Sequence, residues 1–180
     1  LKPSMALFLS DFNKIISFDK IKGVINVESG VLISDILKII CKEGWFFPVT
    51  PGSKYVSIGG MVANNISLKL LINNSLKSHI LSIKILNNNL ELVECSQKKN
   101  KKLFNLTIGA RGRTGPIIST KLRLEKIKSN EIFQKNYHFN NYLKFNGILT
   151  KLKKFKYAVC WLDFTKENFD GMIFAGKHLK

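Results

Sequence analysis

Pro48-Val49-Thr50-Pro51-Gly52-Ser53-Lys54-Tyr55-Val56-Ser57-Ile58-Gly59-Gly60-Met61-Val62-Ala63-Asn64-Asn65-Ile66 is the stretch that decides how this chain is read. Pro48 and Pro51 bar regular helix ahead of the Pro51-Gly52 turn. Gly59 and Gly60, followed by small or flexible residues, suit a helix start lying close against something bulky. That neighbour is either a ligand or another backbone. With a turn, a hydroxyl and a Gly-Gly helix start close together, the segment can present several backbone N–H groups to a phosphate or to the polar edge of a ring. A tight turn packed on its own sheet accounts for the same residues.

Upstream, residues 23–29 (GVINVES) alternate like a strand, and the first twenty residues also open into apolar-polar alternation. Gly30 turns the chain into a helix over residues 34–41, with Ser34 as the N-cap candidate and Gly44 as the stop. Downstream, residues 79–86 (HILSIKIL) and 90–95 read as a hairpin across Asn87-Asn88-Asn89, asparagine tolerating left-handed turn conformations. A short helix is expected over residues 101–107. Gly109, Gly112 and Gly115 then punctuate a loop before a half-buried strand over residues 117–125. Their spacing is GxxGxxG rather than GxGxxG, so no dinucleotide fingerprint follows. After Ser129 the pattern restarts: a strand over 131–138, a helix carrying Tyr142, Phe145, Leu149, Leu152 and Phe155, then strands over 157–164 and 172–175. The expected organisation is α+β, with one unit over residues 1–128 and the opening of a second over 129–180.

Four linked strings carry a family resemblance: Val-Glu-Ser-Gly-Val at 27–31, Gly-Trp-Phe-Phe-Pro-Val-Thr-Pro-Gly at 44–52, Val-Ser-Ile-Gly-Gly-Met-Val-Ala-Asn at 56–64, and Leu-Phe, Thr-Ile-Gly and Thr-Gly-Pro-Ile between 103 and 117. In order and spacing, from about Gly23 to Ile127, they resemble the PCMH-type FAD-binding domain of the vanillyl-alcohol-oxidase superfamily. Within it they are most similar to the decaprenylphosphoryl-ribose oxidase group. The resemblance implies FAD as cofactor, with Gly52, Ser57, Ile58, Gly59, Gly60, Asn64, Asn65, Ile66, Ser67 and Ile117 along it. It also implies hydride transfer from a sugar alcohol or a polyprenyl-phosphate-linked pentose, and a substrate domain opening after residue 128. A catalytically decayed relative that keeps the fold is the alternative.

Two departures qualify the resemblance. Relatives follow Ala-Asn-Asp-Ile with a histidine-rich stretch beside the flavin, whereas this chain has Ser67-Leu68-Lys69-Leu70-Leu71-Ile72. A serine cannot form a histidyl link, so FAD is expected to be held non-covalently, and no catalytic base is assigned. In Gly109-Ala110-Arg111-Gly112-Arg113-Thr114-Gly115, arginines stand where relatives are apolar; a phosphate partner or an exposed loop would each explain them.

The 180 residues are 45% hydrophobic, enough for a real core. Leu1 opens what reads as mid-protein sequence, so a fragment is expected, without the upstream glycine loop that grips the pyrophosphate in the family. The formal charge of +17 is mostly lysine scattered among Asn and Ile, a solvated surface rather than a nucleic-acid stripe. Cys41, Cys95 and Cys160 stand far apart, and His79, His138 and His178 share no ligand spacing, so no metal site and no disulfide framework are expected. No run reaches a spanning length. A reducing, cytoplasmic setting fits the cysteines, with peripheral membrane association as an option.

Overall fold

A computed structural model of the chain describes residues 7–68, 74–165 and 169–179. Leu68 aside, they fall into two compact units that divide after Lys126. In the first, β1 (Ile15–Asp19) and β2 (Val24–Glu28) lead into α1 (Ile33–Ile40), β3 (Trp45–Phe46) and α2 (Ile58–Ala63). The short strands β4 (Ser67–Leu68) and β5 (Asn74–Ser75) follow, then β6 (Ile80–Leu86), β7 (Leu92–Ser96), α3 (Lys101–Thr107), β8 (Ile117–Arg123) and β9 (Glu125–Lys126).

Five of these strands form one antiparallel sheet in the order β1-β2-β8-β6-β7. Period-two alternation sends Ile25 and Val27 of β2 into the core, where they meet Ile83 and Ile85 of β6 and Leu122 of β8. The helices cover that face: Ile33, Ile36 and Ile40 from α1, Ile58, Met61 and Val62 from α2, and Phe104 from α3 are all buried. Each such side chain contributes about 1.5–3 kcal/mol by leaving water, so this core dominates the unit's stability.

Two local expectations are corrected. Ser34 is not the cap of α1; the helix begins one residue earlier, after Leu32, and has no side-chain cap. Its first donors go instead to the neighbouring loop, Ile33 N–H to the Val56 carbonyl at 3.0 Å and Ser34 N–H to the Lys54 carbonyl at 2.8 Å. A tertiary contact thus replaces the local cap, a substitution that spacing cannot reveal. In the β6–β7 turn the left-handed conformation falls on Leu90, at φ 62°, rather than on an asparagine. The Asn87 carboxamide oxygen accepts the N–H groups of both Asn89 and Glu91 at 2.9 Å, closing the turn and leaving Leu90 to absorb the reversal.

The second unit contains β10 (Ile132–Phe139), α4 (Tyr142–Lys151), β11 (Tyr157–Asp163) and β12 (Asp170–His178), its sheet running β10-β12-β11. Phe139, Ile148, Leu152, Phe155, Ala158, Ile173 and Ala175 make its core. Strand β12 is longer than expected, because Gly171 and Gly176–His178 pair across to β10 as regularly as the apolar centre does.

Candidate functional site

Segments far apart in sequence converge in the first unit on a cavity of about 500 Å³. Its walls are Leu9 and Ser10 from the N-terminal segment; Ser29, Gly30 and Leu32 after β2; Tyr55 and Ser57 ahead of α2; Gly59, Gly60 and Ala63 on α2; and Gly112, Gly115, Pro116 and Ile117 around the start of β8. The lining is mainly apolar, with the hydroxyls of Ser10, Ser29, Tyr55 and Ser57 among it, and its size falls within the range of small-molecule and cofactor sites.

Close backbone packing builds these walls. Gly59 N–H donates to the Ser29 carbonyl at 2.9 Å, and a Cβ on Gly59 would lie 2.8 Å from the Ser29 Cβ, so the glycine lets α2 abut the end of β2. The Ser29 hydroxyl donates to the Ile117 carbonyl, tying β2 to the start of β8 inside the wall. Gly115 has φ 114°, and a Cβ there would sit 2.1 Å from the Leu86 carbonyl oxygen, so only glycine passes. The loop between is latched to the end of α2: Gly109 N–H donates to the Val62 carbonyl and Arg111 N–H to the Ala63 carbonyl, each at 3.0 Å. Those bonds take up two of the helix's terminal carbonyls.

The first donors of α2 are engaged within the protein. Ile58 N–H reaches the Val31 carbonyl at 3.0 Å, Gly59 N–H the Ser29 carbonyl, and Gly60 N–H the Ser57 hydroxyl at 3.2 Å. The idea of a helix start presenting several free N–H groups to a phosphate is therefore corrected: backbone and cap occupy them. What the cavity offers instead is an apolar slot, which fits a ring system better than a pyrophosphate. Ser57 Oγ accepts from Gly60, so its own proton is left to donate. On Gly112 a Cβ would meet nothing within 4 Å, so that stretch of wall is open.

Residues 2–96, more than half of the 180, match the family described as FAD binding domain. The chain belongs to the FAD-binding domain family. It is 29% identical over 122 residues to D-lactate dehydrogenase of Anaerostipes hadrus, a match covering 64% of this chain and 26% of that protein. It is 28% identical over 114 residues to decaprenylphosphoryl-beta-D-ribose oxidase of Mycolicibacterium smegmatis, covering 62% of this chain and 25% of the relative. The chain thus spans about a quarter of the length of these curated relatives. The solved structure of alkyldihydroxyacetonephosphate synthase superposes with a TM-score of 0.72 at 12% identity, covering 93% of this chain and 37% of that one. The fold is the PCMH-type FAD-binding fold, mixed α and β with antiparallel sheets.

Of the ten positions that the family resemblance marks for the cofactor, Ser57, Gly59, Gly60 and Ile117 line the cavity. Ile58 is fully buried in the core beneath it. Asn64 and Asn65 end α2: the Asn64 carboxamide N–H donates to the Gly60 carbonyl at 2.9 Å, while Asn65 takes φ 46° and accepts from the Ser75 hydroxyl at 2.9 Å. Ile66 packs partly buried against the core, Gly52 is exposed on the preceding turn, and Ser67 contributes backbone to β4. Lys69 to Ile72, within the stretch that departs from the family, lie outside the described residues. Arg111 and Arg113 are both exposed and absent from the cavity lining.

Leu9, Ser10, Ser29, Gly30, Leu32, Tyr55 and Pro116 are cavity residues beyond that set. The signal for Ser29 and Gly30 was present in the Val-Glu-Ser-Gly-Val string. Leu9 and Ser10 carry none, because they arrive through a long-range contact, the Gly30 N–H to Phe12 carbonyl bond at 2.7 Å.

Elsewhere, burial pushes the thiols of Cys41, Cys95 and Cys160 above their ordinary range, so none is poised as a nucleophile. Among the described residues no group of three metal-binding side chains comes together, and no helix is long and apolar enough to cross a membrane. In the second unit, His178 Nδ1 lies 2.8 Å from the Ser129 carbonyl and Nε2 3.1 Å from the Tyr157 hydroxyl. A carbonyl only accepts, so Nδ1 carries the proton in that bond. This pairing links positions 129, 157 and 178, whose separations hold no recognisable motif.

Proposed function

We propose that this chain is the flavin-holding part of an FAD-linked oxidoreductase acting on a secondary alcohol, with residues 1–128 forming the cofactor unit and residues 129–180 opening a substrate domain. The observation that carries the proposal is the apolar cavity bounded by Ile117 and by Ser57, Gly59 and Gly60, the last three within the segment by which the chain belongs to the FAD-binding family. Lactate and decaprenylphosphoryl-ribose, in the names of two relatives, share a CH–OH group as the reacting chemistry. A sugar alcohol or a polyprenyl-phosphate-linked pentose is the proposed substrate class.

Bound FAD supplies the ring that accepts hydride from such a carbon. This chain's own residues provide the slot. Ile117, Pro116, Leu9 and Ala63 would hold the ring by apolar contact and exclude water, and the Ser57 hydroxyl proton would meet a polar edge. Gly52, Ile58, Gly60, Asn64, Asn65, Ile66 and Ser67 keep the α2 segment in the shape that lets those groups face the ring. With serine at position 67 in place of the family's histidine, FAD is held without a covalent bond.

One observation favours a second reading, a relative that retains the fold without the chemistry: Ser67-Leu68-Lys69-Leu70-Leu71-Ile72 lacks the imidazoles of the family's stretch. The test is an absorption spectrum of the full-length protein before and after acid precipitation. Oxidised-flavin bands that move into the supernatant are expected; bands that stay with the pellet would rule out non-covalent binding. A colourless folded protein that added FAD does not stabilise would put the second reading ahead.

A further inference from the structure

The face of the five-stranded sheet that the helices leave open carries a smaller hollow, of about 140 Å³, lined by Asn26, Ser82, Lys84, Glu94, Ser119 and Lys121. Along β2, β6, β7 and β8 these residues alternate with Ile25, Val27, Ile83, Ile85, Cys95 and Leu122, which enter the core, so all six stand on the outer face. Strand register sets them in two neighbouring rows. Lys121 lies opposite Asn26 and Ser82; Ser119 lies opposite Lys84, and Lys84 opposite Glu94. Directly opposed side chains on one face are about 5 Å apart at Cβ, so one small ligand can touch both rows. The short side chains of Asn26, Ser82 and Ser119 make the floor, and the long, exposed ones of Lys84, Lys121 and Glu94 make the rim.

We propose that this hollow binds a small tetrahedral oxyanion, a phosphate either free or carried on a larger molecule. Ser119 on its floor is only 4% exposed. Among the described residues none of the six side chains has a hydrogen bond or an ion pair, although Lys84 and Glu94 face each other in register. A hydroxyl buried to that degree costs free energy until something in the hollow bonds it. The donor balance selects the ligand: two ammoniums, two hydroxyls and a carboxamide can donate, whereas the Glu94 carboxylate can only accept. Glu28, opposite Ser119 in register, spends its carboxylate on the Lys14 N–H at 2.8 Å and does not line the hollow. With two lysines to one glutamate and no apolar side chain, the lining suits an all-polar anion and offers nothing to a ring or an acyl chain. None of the six residues lines the apolar cavity, so this proposal stands apart from the flavin reading.

The experiment titrates the full-length protein with inorganic phosphate and with glycerol phosphate at constant ionic strength, following heat of binding. Saturable binding is expected. Lys84→Gln and Lys121→Gln should each weaken it by about 5- to 10-fold and Ser119→Ala by about 3-fold, while Glu94→Gln, which removes the repelling carboxylate, should tighten it by about 3-fold. The double variant Lys98→Gln/Lys99→Gln removes two exposed charges from the loop before α3 and should leave affinity unchanged. All four lysines are exposed, so these substitutions leave the fold intact. Tighter binding of glycerol phosphate marks a phosphate ester as the occupant, and equal or weaker binding marks free phosphate; both support the site. No saturable binding of either probe would overturn the proposal. Binding that the Lys84 and Lys121 variants leave untouched, or that the Lys98/Lys99 variant weakens as much, would place the anion elsewhere and overturn it too. Neither probe carries a flavin, so failure here leaves the flavin reading standing, and a protein that binds no flavin leaves this site standing.

Discussion

In the first unit the five-stranded sheet turns one face to three helices, and its unusual residues go into close backbone approach: Gly59 against Ser29, Gly30 against Leu9, Gly115 against Leu86. The second unit also has a sheet with one face covered by a helix, but its distinctive residues are aromatic. Phe139, Phe145 and Phe169 gather with ring centroids 5.0 to 5.4 Å apart around α4. On the opposite face Val159 and Trp161 are exposed, Trp161 at 69%, with Phe174 in ring contact at 6.3 Å. The contrast separates two ways of shaping a surface. Glycines and short polar ties fix the walls of a cavity to within fractions of an ångström, whereas loosely placed aromatics leave a broad apolar face.

The sharpest way to break this comparison is to add single methyl groups. Gly115→Ala should cost at least about 3 kcal/mol, since it combines a left-handed backbone with overlap on the Leu86 carbonyl. Gly147→Ala, in the middle of α4 with open space around it, should instead stabilise by roughly 0.5–1 kcal/mol. Denaturant unfolding would decide, and equal effects at the two sites would undo the distinction. Next in size, Phe104→Ala and Phe139→Ala should each cost about 3–5 kcal/mol, while Trp161→Ala should stay within about 0.5 kcal/mol. A large loss at Trp161 would mean that the second unit's outer face is covered in solution.

Ser57→Ala is expected to cost about 1 kcal/mol of stability by removing the cap on Gly60, and to weaken flavin binding as well. Ser57→Thr should recover the stability, and a substitution that alters stability alone would confine Ser57 to the cap. The smallest effect concerns the buried thiol of Cys95. Burial raises its pKa in the fold, so its contribution is fully present below the ordinary thiol pKa of about 8.5 and is lost as pH climbs through the raised folded value. Between pH 8 and 10 the protein should lose stability slightly faster than Cys95→Ala does, and Cys95 should label more slowly than it would in the unfolded chain.

Where local chemistry sets the structure, the sequence is legible. Gly44 ends the helical turn after α1 with φ 74°, the Gly59-Gly60 pair lies in the first turn of α2, and the alternation of residues 117–125 appears as β8 and β9. The Gly59-Gly60 pair was open between a ligand and a backbone as its neighbour, and at Gly59 the contact seen is Ser29. Ser34 does not cap α1 because the carbonyls of Lys54 and Val56, distant in sequence, do the work of a cap. Tyr55 gave no sign in sequence, since a tyrosine on a Pro-Gly loop is ordinary until the walls around it close. The pairing of His178 with Tyr157 and Ser129 depends on strand register, which residue spacing does not encode.

That borrowed cap makes α1 and the loop bearing Tyr55 a single mechanical element. The amides of Ile33 and Ser34 can exchange with solvent only when the loop at residues 54–56 lifts away. A ligand that stills the loop should therefore slow deuterium uptake at those two amides while leaving the middle of α1 unaffected, so occupancy of the cavity could be read from a helix end that does not line it.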